Sequence, residues 1–297
     1  MTTAQLLLGA PVADRVLEDV ERRVAALAAR GVVVGLGTIL VGDDPASHGY
    51  VQRKHEACAR HGLRSAHRHL PATCGPDDLL DAVRDFNADP AVHAFLIQHP
   101  LPEGLDYGAA VAAMDPAKDA DGLHPINLGR LVLQAPAPLP CTPAGIQAML
   151  AHYDVQVEGR EVVVVGRGPT LGRPLALLLG TKGPGANAAV TVVHSAVPDI
   201  PRFTRRADIV VVAVGVPGFL TARMVRPGAV VVGGGISWSG RRVLSDVDES
   251  VADVAAWVTP RVGGVGPTTV AMLLRNAVAA AERAAATPAL RPAPWTP

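Results

Sequence analysis

Tyr50 and Lys54 are the first residues whose types and spacing could do chemistry. They lie four residues apart in a segment of helical pattern, so both side chains would point to one face and could contact the same ligand. An amine and a phenol can each donate hydrogen bonds to such a ligand. The alternative is an ordinary helix face with a solvated lysine and a half-buried tyrosine ring.

A second group of polar residues follows a predicted strand. Gln98 ends this strand and leads into His99-Pro100-Leu101-Pro102, whose prolines restrict the backbone where it leaves the sheet. Ligands of open α/β sheets bind near such strand ends. The acidic segment around Asp121 is typical either of a turn with solvated charges or of a carboxylate that binds a base-like heterocycle.

A glycine-rich loop indicates a cofactor site. The sequence Gly166-Arg167-Gly168-Pro-Thr-Leu-Gly172 follows a run of valines and precedes a segment of helical pattern. Glycines let backbone amides approach a pyrophosphate, and a helix that begins there presents unpaired N–H groups. The spacing is one residue longer than the usual dinucleotide fingerprint, so a tight strand-to-helix turn is the alternative.

The end of the next predicted strand favours NADP over NAD. That strand ends in His194-Ser195 and lacks the acidic residue that normally binds a ribose 2′-hydroxyl. Ser195 and Arg167 could instead bind a 2′-phosphate. The alternative is a serine at a strand end and a solvated arginine.

These residues must be positioned by an α/β framework. Valine-rich runs alternate with segments of helical length from residue 12 to about residue 286, which predicts a parallel α/β fold with two domains. Strands are predicted at residues 32–41, 64–70, 92–98, 161–166, 189–194, 208–214 and 228–233, and helices at 12–30, 47–61, 76–87, 171–180 and 267–286. The proline-rich stretch 134–143 is predicted to connect the domains, and residues 287–297 to form a disordered tail.

Composition narrows the class of protein. The 297 residues carry 27 Lys plus Arg against 27 Asp plus Glu, and only 3% are aromatic, so neither polyanion binding nor base stacking is favoured. We expect small substrates and no nucleic-acid partner. The first residues lack the pattern of a signal peptide and no apolar run reaches membrane-spanning length, so we expect a cytoplasmic protein without a membrane partner.

Metal and serine-hydrolase chemistry are not predicted. The three cysteines form no C-x-x-C pair, and no Gly-x-Ser-x-Gly segment occurs. His67 and His69 would share a strand face, and His55 and Cys58 a helix face, but neither pair has a third ligand at a motif spacing. We therefore expect satisfied or solvated side chains at these four positions and no metal site.

Several segments together resemble one known family. In order, they resemble the signature segments of the bifunctional methylenetetrahydrofolate dehydrogenase and methenyltetrahydrofolate cyclohydrolase family, over nearly the whole chain. The segments are Val41-Gly-Asp-Asp-Pro-Ala-Ser47, Tyr50-Val-Gln-Arg-Lys54, Gln98-His-Pro-Leu-Pro102, Lys118-Asp-Ala-Asp-Gly-Leu-His-Pro125, Pro140-Cys-Thr-Pro143, Val165-Gly-Arg-Gly168 with Gly172-Arg-Pro174, Thr191-Val-Val-His-Ser195 and Gly263-Gly-Val-Gly-Pro-Thr-Thr-Val-Ala-Met-Leu273.

The resemblance implies an architecture and an activity. It implies a folate-binding catalytic domain (residues 1–139 with 267–286) and a Rossmann-like NADP domain (140–266) around a cleft. The last helix would return to the first domain, and the NADP domains would form a homodimer. The implied activity is NADP-dependent oxidation of 5,10-methylenetetrahydrofolate to 5,10-methenyltetrahydrofolate and its hydrolysis to 10-formyltetrahydrofolate, in one-carbon metabolism and purine biosynthesis.

The resemblance also implies roles for individual residues. Lys54 would be the central catalytic lysine, with its pKa lowered by burial beside a cationic intermediate. Gln98 would hold its amine, Tyr50 would line the folate ring, and Asp121 would bind the pterin. The remaining substrate-binding residues would be His99, Pro100, Leu101, Gly264, Val265, Gly266 and Pro267, and the cofactor-binding residues Gly166, Arg167, Gly168, Gly172, His194, Ser195, Gly215 and Ile236.

Some residues depart from the family pattern. Gly168 stands where the family usually has serine, and Gly233-Gly-Gly-Ile-Ser237 replaces Asp-x-Gly-Ile-Asn. His99 replaces a leucine, Val262 a proline and Thr268 a methionine. These departures leave two alternatives to the bifunctional NADP enzyme: a member with one activity or with NAD, and a catalytically silent folate-binding paralogue.

Overall fold

A computed structural model describes residues 4–239 and 242–286 as alternating strands and helices. The strands are β1 (Gln5–Leu6), β2 (Gly35–Val41), β3 (Arg64–Leu70), β4 (Ala94–Ile97), β5 (Glu161–Val165), β6 (Ala189–Val193), β7 (Ile209–Val212), β8 (Val230–Gly233), β9 (Ile236–Ser239), β10 (Arg242–Ser245) and β11 (Trp257–Val258). The helices are α1 (Gly9–Ala28), α2 (Pro45–Arg60), α3 (Pro76–Ala88), α4 (Tyr107–Ala112), α5 (Pro125–Val132), α6 (Cys141–His152), α7 (Gly172–Gly180), α8 (Pro201–Thr204) and α9 (Val265–Ala286). Short 3-10 turns cover Pro116–Lys118, Ala222–Met224 and Glu249–Asp253.

The predicted α/β fold is confirmed, and each predicted strand and helix is present with bounds shifted by a few residues. The short strands β1 and β11, the β9–β10 hairpin and the short helices α4, α5 and α8 were not predicted, and α6 begins at Cys141, inside the proline-rich stretch 134–143 that was predicted to be a connector. The predicted disordered tail, residues 287–297, lies outside the described residues. None of the described helices is both long and apolar enough to cross a membrane.

The chain divides into two compact units. Residues 4–18 and 121–273 form the first unit, and residues 19–120 and 274–286 form the second. Helices α1 and α9 each contribute residues to both units. The functional domain boundaries expected above stay a prediction.

The first unit is built on a six-stranded sheet of order β1-β11-β8-β7-β5-β6, in which every neighbouring pair is parallel. The valines of β5 alternate between two cores: Val162 and Val164 pack on one face, and Val163 and Val165 on the other. A strand that is covered on both faces carries apolar residues at successive positions. This explains the continuous valine runs of the sequence.

The second unit is built on a parallel three-stranded sheet of order β3-β2-β4. The central strand β2 is buried along all seven residues. The C-terminal half of α9 packs in this unit, where Glu282 pairs with Arg23 of α1 at 2.6 Å and the side chain of Asn276 donates to the carbonyl oxygen of Ala120 at 2.9 Å. The last helix was predicted to return to the folate-binding domain. Its C-terminal half packs in the unit that contains Lys54 and Gln98, so this prediction is confirmed.

Candidate active site

Lys54 and Gln98 form a direct contact in the second unit. Lys54 Nζ donates a hydrogen bond to Gln98 Oε1 at 3.0 Å, and Gln98 Nε2 donates to the carbonyl oxygen of His99 at 2.7 Å. The side chain of Gln98 is thus held at both ends, with its oxygen towards the lysine. Gln98 is 7% exposed, so the pair is shielded on the glutamine side.

The sheet explains why these two residues meet. Strand β2 leads into α2, whose N-cap Asp44 accepts from the backbone N–H of Ser47 at 2.8 Å and fixes the start of the helix. Lys54 follows in the third turn of α2. Strand β4 runs beside β2 in the same direction and ends one residue before Gln98. Both residues therefore follow the carboxyl ends of neighbouring parallel strands, where α/β proteins bind ligands.

The other residues expected to bind substrate in this unit surround these strand ends. Tyr50 is half-buried on α2, and the guanidinium of Arg53 lies 4.6 Å from the centre of its ring. His99 packs edge-on against the ring of Tyr107, with centroids 5.0 Å apart. Pro100 is exposed, and Leu101 is half-buried against the core of the unit.

Two histidines of the second unit contact a buried threonine of β2. Thr38 Oγ1 is 3.3 Å from His55 Nε2 and 3.0 Å from His67 Nδ1. Burial, followed by the charge of Lys54, lowers the pKa of His55, and burial followed by His55 lowers the pKa of His67. Sequence reasoning missed Thr38, which is 1% exposed and lies in the middle of an apolar strand; a lone polar residue in such a strand is the signal that could have found it.

The remaining substrate-binding candidates belong to the first unit. Asp121 is half-buried, and its carbonyl oxygen accepts from the backbone N–H of Cys141 at 3.1 Å. Gly264 is buried just before α9, and Val265, Gly266 and Pro267 form the first turn of that helix. This turn is held by the hydroxyl of Thr268, which donates to the carbonyl oxygen of Val265 at 2.7 Å.

The glycine loop of the first unit has the geometry of a dinucleotide cradle. Gly166 follows β5 with φ +118°, a conformation that L side chains rarely adopt. A Cβ on Gly172, the first residue of α7, would overlap the carbonyl oxygen of Gly166. Gly168 is exposed, and a Cβ there would meet no other described atom within 4 Å. The loop therefore needs glycine at two positions and leaves open space at the third.

The order of the strands places this loop beside a topological switch point. β5 has β6 on one side and β7 on the other, and ligands of such sheets bind at the carboxyl ends of the strands where the order reverses. Gly166 follows β5, and Gly215 follows β7 with φ +70°. These observations fit a dinucleotide.

Arg167 and His194 meet at the expected ribose-phosphate end of the loop. Arg167 Nη1 lies 3.3 Å from His194 Nε2, and Ser195 is exposed next to His194. The described neighbours at this end of β6 thus offer a guanidinium, an imidazole and a hydroxyl. This set suits a phosphate better than a neutral ribose hydroxyl.

Asp246 is a residue that sequence reasoning missed. It is fully buried, and its Oδ2 accepts from the backbone N–H groups of Val214 at 2.7 Å and Gly215 at 2.9 Å. It fixes the loop after β7, and a Cβ on Gly235 would overlap its carboxylate. Asp246 directly follows β10, a strand that was not predicted, so no sequence pattern indicated its position. Ile236, also expected at the cofactor site, begins β9.

Comparison with known proteins identifies a family for both parts of the chain. The family model of the tetrahydrofolate dehydrogenase/cyclohydrolase catalytic domain matches residues 7–121, and that of the NAD(P)-binding domain matches residues 140–285. Bifunctional protein FolD of Syntrophotalea carbinolica is 63% identical over 95% of this chain and 98% of its own length. Bifunctional protein FolD 1 of Salinispora tropica is 58% identical over 95% of this chain and 92% of its own.

A solved structure shows the same likeness in three dimensions. The methylenetetrahydrofolate dehydrogenase-cyclohydrolase of Trypanosoma brucei, solved with NADP cofactor and an inhibitor, superposes with a TM-score of 0.90. It is 36% identical, and the match covers 97% of this chain and 100% of that chain. The strand-end lysine and glutamine, the glycine loop and these matches lead to one conclusion: the chain belongs to the tetrahydrofolate dehydrogenase/cyclohydrolase family.

Proposed function

We propose that this protein oxidises 5,10-methylenetetrahydrofolate with NADP and hydrolyses the resulting 5,10-methenyltetrahydrofolate to 10-formyltetrahydrofolate. The single observation that carries the proposal is the hydrogen bond of 3.0 Å from Lys54 Nζ to Gln98 Oε1. The name of the family includes both activities. The Lys54–Gln98 pair supplies the positioned amine that the hydrolysis needs.

Lys54 is the catalytic group for the hydrolysis. Water adds to the methenyl carbon, the bond from this carbon to N5 breaks, and the carbon stays on N10 as a formyl group. One of the two water protons ends on N5, and the other leaves to solvent. Lys54 Nζ holds the attacking water and carries the proton towards N5, because it is the amine fixed at the strand ends.

Gln98 positions this amine. Its Nε2 is bound to the carbonyl oxygen of His99, so its Oε1 stays turned towards Lys54 and restricts the lysine to a small part of its rotamer space. Holding a catalytic group in one geometry contributes to the rate by avoiding the entropy cost of finding that geometry during the reaction. Tyr50, on the same helix, lines the folate ring.

Residues of the first unit bind the cofactor and the pterin. NADP, when bound, supplies the two-electron oxidising power for the dehydrogenase step. The amides after Gly166 and at the start of α7 would bind its pyrophosphate, and Arg167 with Ser195 would bind the 2′-phosphate. Asp121 accepts hydrogen bonds from the aminopyrimidinone edge of the folate, and Gly264 to Pro267 line the substrate.

The assembly and location are part of the same proposal. We expect a homodimer formed through the NADP domains, a cytoplasmic location and no nucleic-acid partner. The balanced charge, with 27 basic and 27 acidic residues, supports the last expectation.

Replacement of the lysine tests the proposal directly. Lys54→Ala should lower the rate of methenyltetrahydrofolate hydrolysis by at least about 100-fold, as expected for loss of a positioned acid–base group. The decay of the methenyl absorbance measures this rate. Lys182→Ala is the matched control, because Lys182 is an exposed lysine of the first unit. Unchanged hydrolysis in a folded Lys54→Ala protein would overturn the assigned role.

A further inference from the structure

Three side chains of metal-binding type converge at the start of α2. Asp43 lies in the loop after β2, His48 in the first turn of α2 and His69 near the end of β3. Their ligand atoms all lie within 4.8 Å of one another. The carboxylate oxygen of Asp43 is 3.4 Å from His69 Nε2 and 3.6 Å from His48 Nε2.

The two separations from Asp43 match the edges of a coordination tetrahedron. Zinc binds imidazole nitrogen and carboxylate oxygen at about 2.0–2.2 Å, so two ligands of a tetrahedral ion lie roughly 3.3–3.6 Å apart. Both distances from Asp43 fall in this range. A single ion can therefore contact all three atoms after small side-chain adjustments.

The backbone that carries the three residues is held by hydrogen bonds. Asp44, between Asp43 and the helix, accepts from the backbone N–H of Ser47 at 2.8 Å, and the backbone N–H of His48 donates to the carbonyl oxygen of Asp44 at 3.0 Å. His69 is paired in register with Leu40 of β2. Ligands on a fixed backbone bind a metal at lower entropy cost than ligands on a loose loop.

The two imidazoles are also restrained by each other. Their rings pack edge to face with centroids 5.1 Å apart, and the ring of His67 stacks on His69 at 6.1 Å. His69 Nε2 also lies 3.0 Å from the carbonyl oxygen of Gly42. Metal binding therefore requires the His69 tautomer with its proton on Nδ1, and it replaces the bond to Gly42.

The side chains remain open to solvent, with 38% of His69 and 44% of His48 exposed. An ion can reach them without unfolding, and water can complete the shell. Two imidazoles and one carboxylate with an open position suit zinc and its spectroscopic substitute cobalt(II).

We propose that Asp43, His48 and His69 form a binding site for a divalent transition metal, with zinc as the ion it suits best. None of the three residues belongs to the proposed catalytic or cofactor sites, so the inference stands independently of the proposed function. A bound ion would tie the loop after β2, the start of α2 and the end of β3 together.

Cobalt(II) titration of the tag-free, chelator-treated protein tests the site, because histidines of a purification tag would bind metal themselves. We expect a saturable visible absorption band at one equivalent, and zinc should displace it. His48→Gln and His69→Gln should each weaken cobalt binding at least about tenfold. Loss of a ligand should cost no less than the loss of a hydrogen-bond partner of a ligand, which costs about 10- to 100-fold. His152→Gln is the matched control, because His152 is a half-buried histidine at the end of α6 in the other unit, and it should change the affinity by less than about twofold.

A second readout guards against variants that simply misfold. Zinc should raise the melting temperature of the wild type and of His152→Gln, because an ion that binds only the native state stabilises it. It should not raise that of folded His69→Gln. The proposal is overturned by an absence of saturable cobalt binding in the wild type, by wild-type affinity in both His48→Gln and His69→Gln, or by a loss of affinity in His152→Gln as large as in those two variants.

Discussion

Among the individual residues of the candidate site, Gln98 determines which kind of group faces the amine of Lys54. An amide has a donor end and an acceptor end, and the bond to the carbonyl oxygen of His99 leaves only the acceptor end for Lys54. A carboxylate in place of the amide would have the same shape but would favour the charged form of the amine.

Gln98→Glu should therefore lower the cyclohydrolase rate at neutral pH by at least about tenfold and shift the pH at which the rate rises upwards, since a nearby opposite charge raises an amine pKa. Rates of methenyl hydrolysis across the pH range measure this. Gln147→Glu is the matched control, because Gln147 lies in the first unit and donates to the carbonyl oxygen of Gly185. A rate lowered equally at every pH would indicate a structural role only.

The strand–loop–helix elements show which glycines are needed for geometry. The loop from β5 to α7 closes tightly enough that the carbonyl oxygen of Gly166 lies against Gly172. Gly168, in the same loop, has open space around it among the described residues. The departure from the family's usual serine at this position therefore changes the chemistry of the loop and leaves its backbone path intact.

Gly172→Ala should raise the KM for NADP by at least about tenfold, because the added methyl group pushes α7 away from the loop and misplaces the amides. Its cyclohydrolase rate should stay unchanged, since Lys54 lies in the other unit. Gly168→Ser should fold normally and lower the KM for NADP about two- to tenfold, the worth of one added hydrogen bond. Dehydrogenase kinetics measure both. Equal KM values for the two variants would contradict this view of the loop.

Strand β2 depends on a histidine that must stay neutral. His93 Nδ1 accepts from the backbone N–H of Gly35 at 3.0 Å, and burial, followed by the charge of Lys118, lowers its pKa below the usual 6.5. The unfolded chain binds a proton at this residue at a higher pH than the folded chain does. Stability is therefore fully present above the unfolded pKa and falls as the pH drops below it.

The urea concentration at the unfolding midpoint of the wild type should consequently be lower at about pH 5.5 than at about pH 7.5. His93→Asn, which cannot take up a proton, should show a smaller fall over this range. Unfolding curves at the two pH values, followed by circular dichroism, provide the comparison. An identical fall in the two proteins would show that His93 does not contribute.

For the molecule as a whole, local sequence patterns predicted the main strands and helices. The elements that depend on contacts between distant residues were not predicted. Continuous valine runs predicted the central strands because burial on both faces requires them. Strands β1 and β11 have two residues each and exist only through pairing with each other and β8. No local pattern marks so short a strand.

The same reason separates the site residues that were predicted from those that were not. Lys54 and Gln98 belong to segments that resemble a family. Asp246 binds backbone N–H groups 31 and 32 residues earlier in the chain, and His69 comes from a different strand and not from the segment that holds Asp43 and His48. Spacing along a sequence does not show ligands that come from a loop, a helix and a strand.

We propose that turnover of methylenetetrahydrofolate to the 10-formyl product uses both units, because the candidate lysine lies in one and the glycine loop in the other. The measurement that tests this account most directly is turnover of 5,10-methylenetetrahydrofolate by the wild type with NADP or NAD, with reduced nicotinamide, methenyl intermediate and 10-formyl product followed together. We predict reduction with NADP in preference to NAD and onward conversion to the 10-formyl product. Folate binding without turnover by either dinucleotide, or methenyl that accumulates without hydrolysis above the uncatalysed rate, would contradict it.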